Sequence, residues 1–265
     1  MGGGGRRRRA MRNKVDILED ETLEELGRGG MAILQKRRGF RFGTDSILLA
    51  NFAGVRGGVR VGDFGTGSGI LPLLLSDDAP RAQFDAWEIQ PDIADMAARS
   101  VRMNGLEARI RVHAGDARRA ADDVGVGALD MVVCNPPYYR VGAELPSESE
   151  SLRIAKHGAP ELMCELLAAA ARVLRHGGKL CAVYPAGGAV ELVCALRGCG
   201  LEPKRLRFVH SRLDRPPQLV LAEGMRGARP GVRILAPLAL SGPDGAPTAE
   251  LRAIYRMDPP EQTRI

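Results

Sequence analysis

VGDFGTGSG, residues 61–69, places Gly65, Gly67 and Gly69 directly after an apolar, strand-prone run and directly before the helix-prone Ile70–Leu75. Glycine at a strand-to-helix turn lets the backbone bend sharply and approach a ligand with no Cβ in the way. The spacing is G-x-G-x-G; it matches neither the G-x-G-x-x-G of dinucleotide sites nor a P-loop with its Lys-Ser/Thr ending. Such a turn can also be purely structural, so its weight comes from the strand ends that follow. Asp63 closes the strand before the turn, Glu88 the next one, and Asp116, within Ala114-Gly115-Asp116, the third. In an open α/β sheet the carboxyl ends of neighbouring strands face one crevice. There Asp63 is placed to accept from an amino group, Glu88 to take both hydroxyls of a ribose, and Asp116 to face an adenine amino group. Any one of these acids also suits a helix cap. All of them in step with the glycine turn favour an adenosine-bearing ligand, with Asp63, Gly65, Thr66, Gly67, Gly69, Glu88 and Asp116 as its binding set.

Outward from the turn, strands and helices alternate. Strands are expected over Val59–Phe64, Gln83–Ile89, Arg109–Asp116, Leu129–Asn135 and Lys179–Pro185, with helices over Ile70–Leu75, Pro91–Asn104, Pro160–Leu174 and Ala189–Cys199. Asn104-Gly105 and Gly177-Gly178 read as helix stops. This alternation predicts a parallel sheet covered by helices on both faces. Arg205–Ser211 and Gln218–Met225 are joined by a short Asp/Pro loop with no helix, so they are expected to form an antiparallel hairpin at one edge. Before the first strand, MAILQ and GFRF read as two strands around KRRG, followed by a helix over SILLANFA capped by Thr44 or Asp45 and ended by Gly54. The organisation is then a disordered basic leader (1–14), a hairpin-and-helix extension (15–57) and one α/β domain (58–265).

The fourth strand ends in Asn135-Pro136-Pro137-Tyr138. Each proline holds the residue before it extended, so the Asn135 side-chain oxygen and the Pro136 carbonyl can face one spot. An amine conjugated to a ring or a carbonyl is a poor nucleophile because its lone pair is delocalised. Two fixed acceptors on its hydrogens favour the pyramidal form and free that lone pair, while Tyr138 offers a ring face for a planar group. Asn135, Pro136 and Tyr138 are the expected catalytic residues, and Asn135 also borders the cofactor set. Cys134 sits inside the apolar run and reads as a buried residue, not a nucleophile.

The 265 residues are 45% hydrophobic and 26% charged, ordinary for a chain that buries a full core, and only 4% aromatic. No apolar run approaches the roughly 18 residues of a membrane helix, and no secretory signal is recognisable. Five cysteines without paired spacing read as reduced, mostly buried thiols, with no metal pattern; a cytoplasmic location is expected. The net charge of +6 is unevenly spread. Six basic residues fall within Met1–Lys14 and eight within Pro203–Arg233, which suits a polyanionic partner as well as a solvated face. Lys36, Arg37, Arg38, Tyr139, Lys204 and Arg205 are the expected substrate contacts.

DFGTGSG, WEI, AGD and NPPY, in that order, resemble the S-adenosylmethionine-dependent amino-methyltransferases of the class I fold. Within them, GFRFGTDSILLANFA, LRIAKHG and ELRAIY are similar to the bacterial adenine-N6 methyltransferases that modify valine tRNA beside the anticodon. The resemblance spans about Met31 to Tyr255 and implies a Rossmann-like, mostly parallel seven-stranded sheet with S-adenosylmethionine as cofactor. By it, Asp63, Gly65, Gly67 and Gly69 line the methionine part, Glu88 holds the ribose, Asp116 lies near the adenine, and Asn135, Pro136 and Tyr138 grip the target amine. The expected substrate is an adenine N6 in RNA, tRNA foremost. NPPY is equally compatible with a glutamine amide in a release factor, a guanine N2 in ribosomal RNA or an adenine in DNA. The poly-Arg leader is not part of the family pattern.

Overall fold

The computed structural model describes residues 13–38, 43–136 and 159–257. Its N-terminal hairpin pairs β1 (Glu21–Glu25) with β2 (Ala32–Lys36), antiparallel from Glu21↔Lys36 to Glu25↔Ala32. The sequence reading had paired Met31–Gln35 with Gly39–Phe42 across KRRG. The partner is instead Glu21–Glu25, across a turn in which Gly27, Gly29 and Gly30 take positive φ; Gly39–Phe42 lies outside the described residues.

β2 is buried on both faces. Ile33 joins the main core, while Ala32 and Leu34 pack on Met96 and Met103 of α3 (Pro91–Met103). The outer edge of β2 would expose unpaired backbone groups, and side chains of α3 and its cap satisfy them. The Leu34 N–H donates to the Ser100 hydroxyl (2.9 Å), and the Asn104 amide exchanges hydrogen bonds with Ala32 (3.0 and 2.7 Å). Beside them the Arg99 guanidinium forks onto both oxygens of Glu21 (2.7 and 2.6 Å), whose side chain is fully buried. That hydrogen-bonded cation holds the Glu21 carboxyl below its usual range. Arg99→Ala removes the partner of a buried carboxylate, so a loss of about 3–5 kcal/mol in folding free energy is expected from urea titrations.

α1 (Thr44–Ala53) follows. Gly43 occupies the N-cap position without a side-chain hydrogen bond, so neither Thr44 nor Asp45 is the cap, and Gly54 closes the helix in the left-handed region as expected. The central sheet has seven long strands in the order β5-β4-β3-β6-β7-β9-β8. These are β3 (Arg60–Phe64), β4 (Gln83–Glu88), β5 (Ile110–Ala114), β6 (Leu129–Cys134), β7 (Leu174–Pro185), β8 (Leu201–His210) and β9 (Pro217–Arg226). Only β9 runs antiparallel to its neighbours. Two short strands, β10 (Arg233–Ile234) and β11 (Leu238–Ala239), add parallel to the outer side of β8. The fold is therefore the mostly parallel, Rossmann-like α/β sheet that the pattern predicts.

Period-2 alternation sends neighbouring residues to opposite faces. Val61, Val133, Cys181, Val183, Leu219 and Leu221 face α1, α2 (Ile70–Asp78) and Ile254 of α7 (Ala249–Tyr255). Val132, Cys134, Leu180, Ala182, Val220 and Ala222 face α4 (Ala120–Val124), α5 (Ala159–Val173) and α6 (Ala189–Gly198). In α5 the core stripe Met163, Leu166, Leu167, Ala170 and Val173 keeps helical spacing. Gly177-Gly178 does not stop that helix. It lies within β7, where the pairing with β6 shifts register between Leu129↔Leu174 and Met131↔Lys179. All five cysteines are free; Cys134 and Cys181 are buried, but Cys164 and Cys194 are exposed, so "mostly buried" does not hold.

Candidate active site

Strand register brings the expected residues into one row. Phe64 pairs with Trp87 on one side and with Cys134 on the other, so the next residues, Glu88, Gly65 and Asn135, stand side by side at the carboxyl tips of β4, β3 and β6. Glu88 in turn pairs with Ala114, two residues before Asp116. Asp63 lies opposite Val133, and alternation carries Asn135 to that same face of the sheet.

The glycine turn is built as its sequence requires. Gly65, Gly67 and Gly69 have φ of 76°, 55° and 87°, a region where a side chain is strained. The Gly65 and Thr66 N–H groups both donate to the Trp87 carbonyl, and Gly69 N–H closes the turn onto Thr66. Glu88 fastens it: one carboxylate oxygen accepts from Gly67 N–H (3.0 Å) and the other from Gln90 N–H (3.0 Å).

Four buried polar atoms here have no hydrogen-bond partner among the described residues: both carboxylate oxygens of Asp63, the Thr66 hydroxyl and the Asn135 side-chain oxygen. Leaving such atoms unpaired costs about 1–3 kcal/mol each, and native folds rarely carry several together unless a ligand completes them. Three of the four are carboxylate or amide oxygens, which in their usual protonation states only accept. Whatever completes them brings N–H or O–H donors. Burial pushes the Asp63 carboxyl up to about 7; the nearby Thr66 hydroxyl, short of hydrogen-bond geometry, offsets this in part, and the Glu88 charge adds to it.

The Asn135 amide is oriented by a residue that the sequence reading missed. Its nitrogen donates to the hydroxyl of buried Ser46 in the first turn of α1 (3.4 Å), which leaves the oxygen as the free acceptor. Nothing in a helical Ser announces this; only the fold of α1 over the tip of β6 creates it. Pro136 is buried beside Asn135, whereas Tyr138 and Tyr139 lie outside the described residues. Cys134 is buried, and desolvation and nearby Asp63 push its thiol well above the usual range, so it is no nucleophile.

Other expected residues fare differently. Asp116 caps a single 3-10 turn (Ala117–Arg119), accepting from Arg118 N–H at 2.9 Å, and grips the Arg118 guanidinium, which bridges on to Glu165 at 2.6 Å. The hydrogen bond from Arg118 holds the Asp116 carboxyl below its ordinary range. Lys36 is paired with Asp20 (2.8 Å) and Asp92, and Arg37 donates to the Glu19 carbonyl, while Arg38 is exposed. Lys204 donates to the Arg229 carbonyl. Arg205 binds Glu223 (2.6 Å) and the Phe52 carbonyl and lies over the Phe52 ring, so it is a core-bracing cation.

A sequence profile of the methyltransferase small domain matches residues 42–190, more than half of the chain. The chain belongs to this family. Among named relatives, the tRNA1(Val) (adenine(37)-N6)-methyltransferase of Tolumonas auensis is 35% identical over 188 residues, 71% of this chain and 77% of the relative. The enzyme of the same name from Phocaeicola vulgatus is 27% identical over 189 residues, covering 71% and 78%. A predicted O-methyltransferase of Agrobacterium tumefaciens superposes with a TM-score of 0.65 at 21% identity, covering 80% of this chain and 96% of its own, a likeness of fold. The methyl donor of this methyltransferase is S-adenosylmethionine, and the unpaired, buried carboxylate oxygens of Asp63 fit the N–H donors of its α-ammonium. Among the described residues no group of three His, Cys, Asp or Glu could hold a metal, and no helix is long and apolar enough to cross a membrane.

Proposed function

We propose that the chain methylates the N6 amine of an adenine in tRNA. The observation that carries this reading is the unpaired Asn135 oxygen, buried in the same strand-tip row as the glycine turn and beside Asp63. The cofactor-binding set is Asp63, Gly65, Thr66, Gly67, Gly69 and Glu88. Asp116 joins it only if Arg118 yields, since its oxygens are already engaged.

When bound, S-adenosylmethionine supplies a methyl group on a sulfonium, and the departing S-adenosylhomocysteine is a neutral thioether. The chain's own part is to hold the acceptor amine. Asn135 Oδ1 and the Pro136 carbonyl accept the two N–H bonds of the adenine, which turns the nitrogen lone pair out of the ring system. Once methylated, the nitrogen would be cationic, and one of the hydrogens that Asn135 Oδ1 and the Pro136 carbonyl hold would leave as a proton to solvent. No strong base is required, because the alkylated nitrogen is acidic. An adenine so gripped must stand outside a stack, which favours a loop nucleotide. The relatives' names, at 35% identity over most of the chain, support tRNA as the carrier.

Incubation with methyl-labelled S-adenosylmethionine and either bulk tRNA or a release factor tests the reading. Label in tRNA recovered as N6-methyladenosine is expected; label in the protein glutamine alone overturns it.

A further inference from the structure

The strand order divides the site edge into halves. The cofactor set lies on the tips of β3 and β4, with Asp116 beyond β5, and Asn135 closes the row at β6. The tips of β7, β9 and β8 are left to the substrate. Beside that half, the β8–β9 hairpin overhangs the edge. Asn135 follows the Cys134↔Ala182 pair, which puts it level with Val183; Val183 pairs with Leu221, and Leu221 with Arg207. β8 continues past that level to His210, so the loop that begins at Ser211 rises ~13 Å above the row of Asn135 and stands ~14 Å to its side, taking ~3.3 Å per residue and ~4.8 Å per strand.

The loop, residues 211–216, reads SRLDRP. It is held rigidly: Arg215 N–H donates to the Arg212 carbonyl (3.0 Å), His210 Nδ1 donates to the Arg215 carbonyl (2.7 Å) and Ser241 N–H to the Ser211 carbonyl (2.8 Å). Arg212 pairs with its neighbour Asp214 (2.9 Å), but Arg215 is exposed and has no carboxylate partner among the described residues. Between them Leu213 is 64% exposed at the loop tip. The cations lower in this segment are spent inside the fold: Arg205 on Glu223, Arg207 on Glu250, Lys204 on a carbonyl.

The geometry points to the Ser211–Pro216 loop as the contact for the RNA strand flanking the target adenine. Arg215 and Arg212 take phosphates, and Leu213 lies against a sugar or a base. This rests on the tRNA reading and names the loop, in place of Lys204 and Arg205, whose cations the fold already engages, as where the substrate is held. A preformed turn presents its arginines with little ordering entropy left to lose, and a phosphate competes with Asp214 for Arg212 as a second bidentate acceptor.

The test uses the full chain, bulk tRNA and methyl-labelled S-adenosylmethionine. For Arg212→Ala/Arg215→Ala, KM for tRNA is expected to rise about 5- to 20-fold near 0.1 M salt, with kcat and cofactor affinity within about twofold. The slope of log binding constant against log salt is expected to be shallower by about 2, one for each lost phosphate contact. Arg229→Ala/Arg233→Ala, exposed cations away from the site edge, is the control and should match wild type. Unchanged KM and salt slope in the loop variant, while wild type methylates tRNA, overturns the loop assignment alone. Wild type that binds and methylates no tRNA overturns the substrate reading, and this assignment with it.

Discussion

Asn135→Ala is expected to lower kcat on tRNA by roughly 10²- to 10³-fold, the usual cost of removing one preorganised polar group at a reacting centre, while cofactor affinity moves only a few-fold. The Asn135 oxygen is buried and unpaired, and its nitrogen is committed to Ser46. Alanine therefore removes an acceptor that the fold holds in readiness without breaking any strand pair. Asn135→Asp separates this role from simple packing: its carboxylate still accepts from the amine, and the Ser46 hydroxyl can rotate to donate to it, so partial activity is expected. Ser46→Ala keeps the acceptor and loosens only its direction, so its kcat should drop about 3- to 10-fold, a single neutral hydrogen bond's worth. Single-turnover rates with saturating cofactor measure all three. An Asn135→Ala enzyme within threefold of wild type would remove Asn135 from the chemistry.

The residues that proved legible in sequence are those whose role follows from local geometry. Gly65, Gly67 and Gly69 announce a bend because few other residues take that backbone, and NPPY announces a stiff strand end because proline fixes its own φ and that of its neighbour. Long-range pairing was not legible. Glu21–Glu25 is a poor strand by composition, with three glutamates in five residues, yet it pairs with β2 because Arg99, 78 residues away, neutralises Glu21. Arg205 read as a free cation because nothing local reveals that Phe52 and Glu223 enclose it. The choice of β1 as the partner of β2 has the same origin: β1 brings the buried Glu21–Arg99 ion pair with it, which no local turn signal announces. Asp116 shows the converse. It stands two residues beyond the end of β5, and its side chain does what any acid before a helical turn does, it caps.

The affinity for S-adenosylmethionine is expected to depend steeply on pH through Asp63. Its carboxyl is buried, has no hydrogen-bond partner among the described residues, and is pushed up to about 7 from an ordinary 3.8. The sign follows from linkage. A raised carboxyl pKa means that the cofactor-free fold keeps a proton which the unfolded chain releases above about pH 4. The stability of the cofactor-free protein should therefore fall as pH climbs from about 4 to about 7 and level off beyond. Binding an α-ammonium requires the charged carboxylate, so cofactor affinity must change the other way: about tenfold for each pH unit below 7, on the order of 100-fold between pH 5 and the plateau. Above about pH 8 it should fall again, as an α-amino group loses its proton. Asp63→Asn separates the two halves of this account. It removes the pH-dependent loss of stability in the cofactor-free protein, because the amide carries no charge to bury. It also flattens the acid limb of the affinity profile and weakens binding roughly 10- to 100-fold at neutral pH, the cost of one charge-assisted hydrogen bond. Isothermal titration with S-adenosylmethionine from about pH 5 to 8.5, beside thermal melts of the cofactor-free protein, reads both. A wild-type affinity that stays flat across this range would mean that Asp63 does not meet the cofactor's amino group, and the four unpaired atoms would need another ligand.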